Sequence, residues 1–139
     1  MIVLDTNVIS ETLRQVSEPR VIEWLDSQPI ETLYLSTITL AELRFGMASL
    51  PPGKRRDNLQ KSLESRVLPL FAGRLLPFDM LASQSYGELM AKARTLGLAI
   101  SKADGYIAAT AIANGMMVAT RDVSPFKAAD VDVINPWES

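Results

Sequence analysis

The sequence has 139 residues, 47% of them hydrophobic and 22% charged, which is typical of one ordinary globular domain with a substantial core. Its net charge of −2 provides no overall attraction for nucleic acid. The absence of cysteine and histidine excludes disulfides, thiolate nucleophiles, zinc–thiolate sites, Ser-His-Asp chemistry and histidine-ligated metals. No charged leader precedes an apolar core, and no apolar run approaches the ~20 residues that span a bilayer, so we expect a cytoplasmic protein without a membrane segment.

The chain begins with strand and helix patterns in alternation. Residues 2–5 form a short run of three apolar residues that ends in Asp5, a pattern typical of a strand buried on both faces. A short helix is predicted over residues 6–13, and Pro19 begins a second one. Residues 33–35 form the next strand candidate.

The second strand leads into a third helix, capped by Ser36 or Thr37. Its predicted apolar positions are Ile38, Ala41, Phe45 and Ala48. The run Pro51-Pro52-Gly53 breaks the chain, and a charged helix begins at Lys54 and continues to Val67.

The second half of the chain again alternates predicted strands and helices. A third strand is predicted at residues 75–76, followed by a helix that Asp79 caps and Gly97 ends. An alanine-rich, buried helix is predicted over residues 101–114, with the last two strands at residues 116–119 and 131–134. This order predicts a single α/β domain over residues 1–139, a three-layer sandwich with a mainly parallel central sheet.

Four carboxylates occupy junctional or apolar positions: Asp5, Glu42, Asp104 and Asp122. Each has a structural explanation. Asp5 can cap the first helix, Asp104 can form a capping box with Ser101, Asp122 can close a turn, and Glu42 can be a solvated helix residue.

Considered together, the four acids predict a metal site. A parallel sheet brings strand ends and the following helix starts to one edge, where ligands bind. Clustered carboxylates repel one another unless a cation supplies the missing charge. Oxygen ligands without histidine or cysteine select Mg²⁺ or Mn²⁺, and such sites typically cleave phosphodiesters because the metal lowers the pKa of a bound water.

The sequence also resembles a known family. Residues 4–7, 39–43, 103–111 and 119–122 resemble, in this order and spacing, the acidic motifs of PIN domains. More closely, the chain resembles the VapC/FitB-like toxins of type II toxin–antitoxin pairs. The resemblance covers nearly the whole chain, including residues 68–73 and 135–137.

What the resemblance implies is a Mg²⁺- or Mn²⁺-dependent endoribonuclease that cleaves structured RNA, often tRNA. The residues that it assigns to catalysis are Asp5, Glu42, Asp104, Asp122 and Thr120, of which Asp5, Asp104 and Asp122 hold the metal. Thr6 and Thr120 would hydrogen-bond a carboxylate or a metal-bound water, and Asn7 would fix the loop after the first strand.

The resemblance also implies partners. A small antitoxin would silence the enzyme, and DNA would be bound only indirectly, through the antitoxin, for operon repression. A homodimer that aligns two active sites is expected within the larger complex. An apolar groove between the first two helices and the helix after Pro52 is a candidate site for an antitoxin peptide.

Basic and aromatic residues are secondary candidates. Lys102 and Arg121 flank two of the acids and can bind substrate phosphate, and Arg121 stands where many PIN domains carry asparagine. The run 54–56 can bind RNA, but a solvated helix face is the preferred interpretation. Core packing is expected for most of the aromatic side chains, namely Trp24, Phe45, Tyr106, Phe126 and Trp137.

Two other classes of function compete with a ribonuclease. A receiver-like signalling domain also binds Mg²⁺ at strand ends, but Asp5 has no acidic neighbour and no lysine follows Thr120. The alternative that we keep is a catalytically weak PIN-like module that acts mainly through its antitoxin in operator-DNA regulation.

Overall fold

The computed structural model describes residues 1–139 and contains a five-stranded sheet. The strands are β1 (Ile2–Leu4), β2 (Leu33–Ser36), β3 (Leu75–Leu76), β4 (Met117–Ala119) and β5 (Val133–Ile134). They pair in the order β3-β2-β1-β4-β5, and every pair is parallel. In the central register, Val3 lies opposite Tyr34 of β2 and Val118 of β4. The prediction of a mainly parallel sheet is confirmed.

Seven α-helices connect the strands. They are α1 (Thr6–Thr12), α2 (Pro19–Ser27), α3 (Thr37–Ala48), α4 (Lys54–Ser62), α5 (Met80–Thr95), α6 (Lys102–Ala113) and α7 (Val123–Ala128). The predicted charged helix ends at Ser62, and the chain continues as a π-helical turn, Leu63–Val67, and a 3₁₀ turn, Leu68–Phe71. None of the helices combines the length and the apolarity needed to cross a membrane.

Helices cover both faces of the sheet, because alternate strand residues point to opposite sides. On one face, Leu4 and Leu35 pack with residues of α1–α3 and the π-helical turn. On the other face, Val3 and Val118 pack with Ile107 of α6 and with residues of α5 and α7. These two cores confirm the predicted three-layer architecture.

Most predicted helix ends agree with the structure. Ser36, Asp79 and Ser101 each accept a hydrogen bond from a backbone N–H in the first turn of the helix that follows. Gly97 and Gly115 follow α5 and α6 with φ of 69° and 65°, a conformation that glycine adopts without steric cost.

The sequence did not predict which face of α3 is buried, and it did not predict helix α7. The buried face of α3 is Thr39, Leu43 and Met47, whereas Phe45 is 76% exposed, because the sheet lies against a different side of the helix from the predicted stripe. Helix α7 was not predicted, because Pro125 looks like a turn residue in the sequence. Its position in the first turn of α7 costs no helical hydrogen bond.

Candidate active site at the carboxyl edge of the sheet

The ends of two neighbouring parallel strands place Asp5 beside Thr120. Asp5 follows β1 and Thr120 follows β4, so both lie at the same edge of the sheet. The hydroxyl Oγ1 of Thr120 donates a 2.8 Å hydrogen bond to Oδ2 of Asp5. Asp5 is 5% exposed and Thr120 is fully buried, so this contact lies at the inner wall of the site.

Asn7, the second residue of α1, connects Asp5 to the loop that follows β4. Its Nδ2 lies 3.4 Å from Oδ2 of Asp5 and 3.3 Å from Oγ1 of Thr120. Its Oδ1 accepts a 3.3 Å hydrogen bond from the backbone N–H of Arg121. The backbone N–H of Thr6 donates to Oδ1 of Asp5 at 2.8 Å. Asp5 therefore caps α1, which is the structural role that the sequence allowed for it.

The carboxyl of Asp5 carries an electrostatic strain that capping does not explain. Burial, opposed by the hydrogen bonds from Thr120 and Thr6, raises the pKa of Asp5 from 3.8 to about 6, and the charges of Asp104 and Glu42 add to the rise. Asp104 and Glu42 are therefore near enough to Asp5 to repel its ionised form. The structure thus brings three of the four predicted acids into one electrostatic cluster.

Glu42 is held at the site and is not a solvated helix residue. It lies half-buried on α3, and Oγ1 of Thr6 donates a 2.6 Å hydrogen bond to its Oε1. Oγ1 of Thr39 lies 3.2 Å from that of Thr6. Ser36 and Thr39, both fully buried, are site residues that the sequence reasoning missed; the signal was their three-residue spacing from one another and from Glu42.

Asp104 and Asp122 lie on the outer side of the cluster. The backbone N–H of Asp104 donates to Oγ of Ser101 at 3.2 Å, but the Asp104 carboxylate accepts no hydrogen bond, so the capping box is only half formed. Asp122 is exposed, and its backbone N–H donates to Oγ1 of Thr120 at 3.0 Å. Its charge is not among the causes of the raised pKa of Asp5.

The kinds of side chain around Asp5 are suited to binding a hard divalent cation. The side chains around Asp5 offer carboxylate, hydroxyl and amide oxygens, and Mg²⁺ and Mn²⁺ prefer such oxygen ligands. The structure contains no group of three or more acidic side chains arranged to hold a metal ion. Mg²⁺ usually keeps several waters and binds through one or two carboxylates, so a buried, strained Asp5 with acidic neighbours still fits such an ion.

The predicted phosphate-binding residues lie at the rim. Lys102 is the exposed first residue of α6, and Arg121 is exposed beside Thr120. The guanidinium of Arg121 stacks over the ring of Trp137, 5.3 Å from its centroid, a contact that the sequence reasoning missed. The run 54–56 lies on α4, where Lys54 and Arg55 are exposed as a solvated helix face would have them, but Arg56 is half-buried and its Nε is buried without a hydrogen-bond partner.

Comparisons with known proteins identify the family. The PIN domain family matches residues 2–131. The chain is 64% identical over 138 residues to VapC ribonuclease Y4jK of Sinorhizobium fredii, covering 99% of both proteins. It is 55% identical over 137 residues to Toxin FitB of Neisseria gonorrhoeae, again covering 99% of each.

Solved structures agree with these relatives. The crystal structure of FitAcB from Neisseria gonorrhoeae matches with a TM-score of 0.96 and 54% identity over 100% of both chains. The structure of FitAB bound to an IR36 DNA fragment matches with a TM-score of 0.94 and 54% identity, covering 99% of this chain and 96% of that one. The chain therefore belongs to the PIN-domain family, in its VapC/FitB-like toxin branch.

Proposed function

We propose that this chain is a Mg²⁺- or Mn²⁺-dependent endoribonuclease and the toxin of a type II toxin–antitoxin pair. The single observation that carries the proposal is the buried Asp5 carboxyl, whose pKa the neighbouring Asp104 and Glu42 help to raise. A cation bound beside Asp5 would offset both its burial and its repulsion by the neighbouring acids. The relatives named as a VapC ribonuclease and as Toxin FitB support the same activity and role.

The proposed metal-binding residues are Asp5, Asp104 and Asp122, some of which would reach the ion through its bound waters, because no three acids are arranged to ligate it directly. When bound, the ion would activate water for attack on a phosphodiester and neutralise charge on the leaving oxygen. Thr120 would keep Oδ2 of Asp5 oriented through its 2.8 Å hydrogen bond. Asn7 would hold the loop that carries Arg121 and Asp122 against Asp5.

Glu42 has a role of its own in this proposal. Its Oε1 is occupied by the hydroxyl of Thr6, which leaves Oε2 free to accept a proton from the attacking water. Lys102 and Arg121, both exposed at the rim, would bind the phosphates of the RNA that flank the scissile bond. The chain's small net negative charge makes such local contacts necessary.

The proposed substrate is structured RNA such as tRNA, and the proposed partner is a small antitoxin. The FitAB structure with a DNA fragment supports a DNA contact made together with a second protein. A homodimer that aligns two sites completes the proposed assembly.

The decisive experiment uses the purified chain, freed of any partner, and a labelled tRNA transcript. Cleavage is expected with millimolar Mg²⁺ or Mn²⁺ and is expected to disappear with EDTA. The ions should also raise the melting temperature, because ligand binding to the native state stabilises it. Asp5→Asn should abolish both effects, whereas Asp132→Asn, an exposed acid before β5 at the opposite edge, should retain both.

Two other outcomes would contradict the proposal, and the second of them would favour the alternative, a catalytically weak regulatory module. Equal melting shifts in wild type and Asp5→Asn would indicate that the ion acts non-specifically and would contradict the proposed site. Absence of RNA cleavage in a chain that still assembles with its antitoxin on operator DNA would instead favour the catalytically weak regulatory module.

A further inference from the structure

Three buried or half-buried hydroxyls form a continuous row that ends at Glu42. Oγ of Ser36 lies 3.3 Å from Oγ1 of Thr39, which lies 3.2 Å from Oγ1 of Thr6. Oγ1 of Thr6 is 2.6 Å from Oε1 of Glu42. Ser36 and Thr39 are both fully buried, so neither hydroxyl can exchange its partner for water.

The protons in this row can point only one way. Thr6 donates its single hydroxyl proton to Oε1 of Glu42, the shortest contact in the row. Thr6 can then only accept from Thr39, and Thr39 can only accept from Ser36. The row begins with the backbone N–H of Thr39, which donates to Oγ of Ser36 at 3.1 Å. Aligned hydrogen bonds of this kind strengthen one another.

The partners of Thr39 differ from those of an ordinary helical threonine. Thr110, also fully buried, donates to the carbonyl oxygen of Tyr106 one turn back, at 2.8 Å. The hydroxyl of Thr39 has hydroxyl partners only. Burying a hydroxyl costs free energy unless it is hydrogen-bonded, and valine has nearly the same volume, so packing alone does not require a threonine here.

We propose that Thr39 is a positioning residue for Glu42. Its hydroxyl, oriented by Ser36, fixes the hydroxyl of Thr6 in the rotamer that holds Oε1 of Glu42 at the edge of the site. The proposal rests on the proposed function, in which Glu42 accepts a proton during RNA cleavage.

The kinetic test compares three variants whose folding is verified. Thr39→Val, which keeps the volume but removes the hydroxyl, should lower kcat by about tenfold or more and leave KM within about twofold. Thr39→Ser, which keeps the hydroxyl, should restore kcat to within about threefold of wild type. Thr110→Val, the matched control, should leave both parameters unchanged. A fully active Thr39→Val protein, or a folded and inactive Thr39→Ser protein, would overturn the proposal.

A second test needs no RNA cleavage and so separates this inference from the proposed function. In a double-mutant cycle, Thr39→Val should raise the unfolding equilibrium constant several-fold more in the wild type than in Glu42→Ala. In the Glu42→Ala protein, the hydroxyl row has already lost its carboxylate acceptor. Thr110→Val should have the same effect in both backgrounds. Additive effects of Thr39→Val and Glu42→Ala would contradict the coupling. If Thr39→Val does not fold, Thr39→Ala is used in its place.

Discussion

Oγ1 of Thr120 donates a 2.8 Å hydrogen bond to Oδ2 of Asp5 and thereby joins the carboxyl ends of β1 and β4 at the inner wall of the site. The donor is fully buried and the acceptor nearly so. The hydrogen bonds from Thr120 and Thr6 do not offset the loss of water around the carboxylate, and the pKa of Asp5 therefore stays raised, at about 6. The site of the metal-free protein is strained.

That strain predicts a pH dependence of stability without metal. The folded pKa of Asp5, about 6, lies above the unfolded value of 3.8, so its contribution to stability is fully present below pH 3.8 and is lost as the pH rises through 6. The loss is on the order of 3 kcal/mol, from a shift of about two pKa units at 1.36 kcal/mol each. Asp5→Asn should remove this component from urea unfolding curves measured in EDTA between pH 4 and 7.

Asp132→Asn is the control for that measurement, since it removes an exposed carboxylate at the opposite edge and should keep the wild-type profile. An unchanged profile in Asp5→Asn would contradict the strained state of Asp5.

Glu42→Gln separates a catalytic acid from a solvated helix residue. The glutamine keeps the shape but cannot take up a proton, so RNA cleavage should fall by about a hundredfold or more. The free energy of unfolding should stay within about 0.5 kcal/mol of wild type or rise, because repulsion of Asp5 is relieved. Glu31→Gln, in the 3₁₀ turn before β2, is the matched control and should retain full activity. Cleavage by Glu42→Gln at the wild-type rate would remove Glu42 from the site.

Asp104→Asn distinguishes helix capping from metal binding. Because the Asp104 carboxylate accepts no hydrogen bond from Ser101, the substitution should change the metal-free free energy of unfolding by no more than about 0.5 kcal/mol. Loss of the charge should nevertheless lower cleavage by orders of magnitude and abolish toxicity on expression. Asp57→Asn, an exposed acid in the first turn of α4, controls for the effect of the helix dipole. A folded Asp104→Asn protein that still cuts RNA and arrests growth would refute the assignment.

Trp137→Leu tests the stacking contact that holds Arg121. Without the ring, the guanidinium loses its support at the rim, and the KM for RNA should rise several-fold while kcat changes little. Arg121→Gln should have a similar effect, and the double variant should be no worse than either single one, since both remove the same contact. Additive losses would mean that Trp137 acts independently of Arg121.

Gly105→Ala tests the packing that places Asp104. A Cβ at Gly105 would lie 2.8 Å from Sδ of Met90 and 3.0 Å from Cε2 of Tyr86, so these side chains between α5 and α6 would have to shift. We expect a net loss on the order of 1 kcal/mol in the free energy of unfolding, despite the higher helix propensity of alanine. Gly46→Ala on α3, where a Cβ meets nothing within 4 Å, should instead stabilise the protein. Stabilisation by both substitutions would show that α5 and α6 pack loosely.

The predicted strands and helix caps agree with the structure where local chemistry decides them. Ser36 and Ser101 cap helices because their side chains accept backbone N–H bonds within the same turn. Phe45 shows the limit of such reasoning. Several apolar rows run along α3, and which of them is buried depends on where the sheet lies.

At the site, the sequence pattern predicts that Asp5 ends a strand, that Asp104 lies in the first turn of a helix and that Glu42 lies within another helix, and a parallel sheet tends to bring such positions toward one edge. Their environments depend on packing between distant segments: the burial that raises the pKa of Asp5, the free carboxylate of Asp104, and the hydroxyl row from Ser36 to Glu42. Thr6 and Thr39 are 33 residues apart in the chain yet in contact. Such contacts follow from the packing of α1 against α3, which no periodicity within either segment encodes.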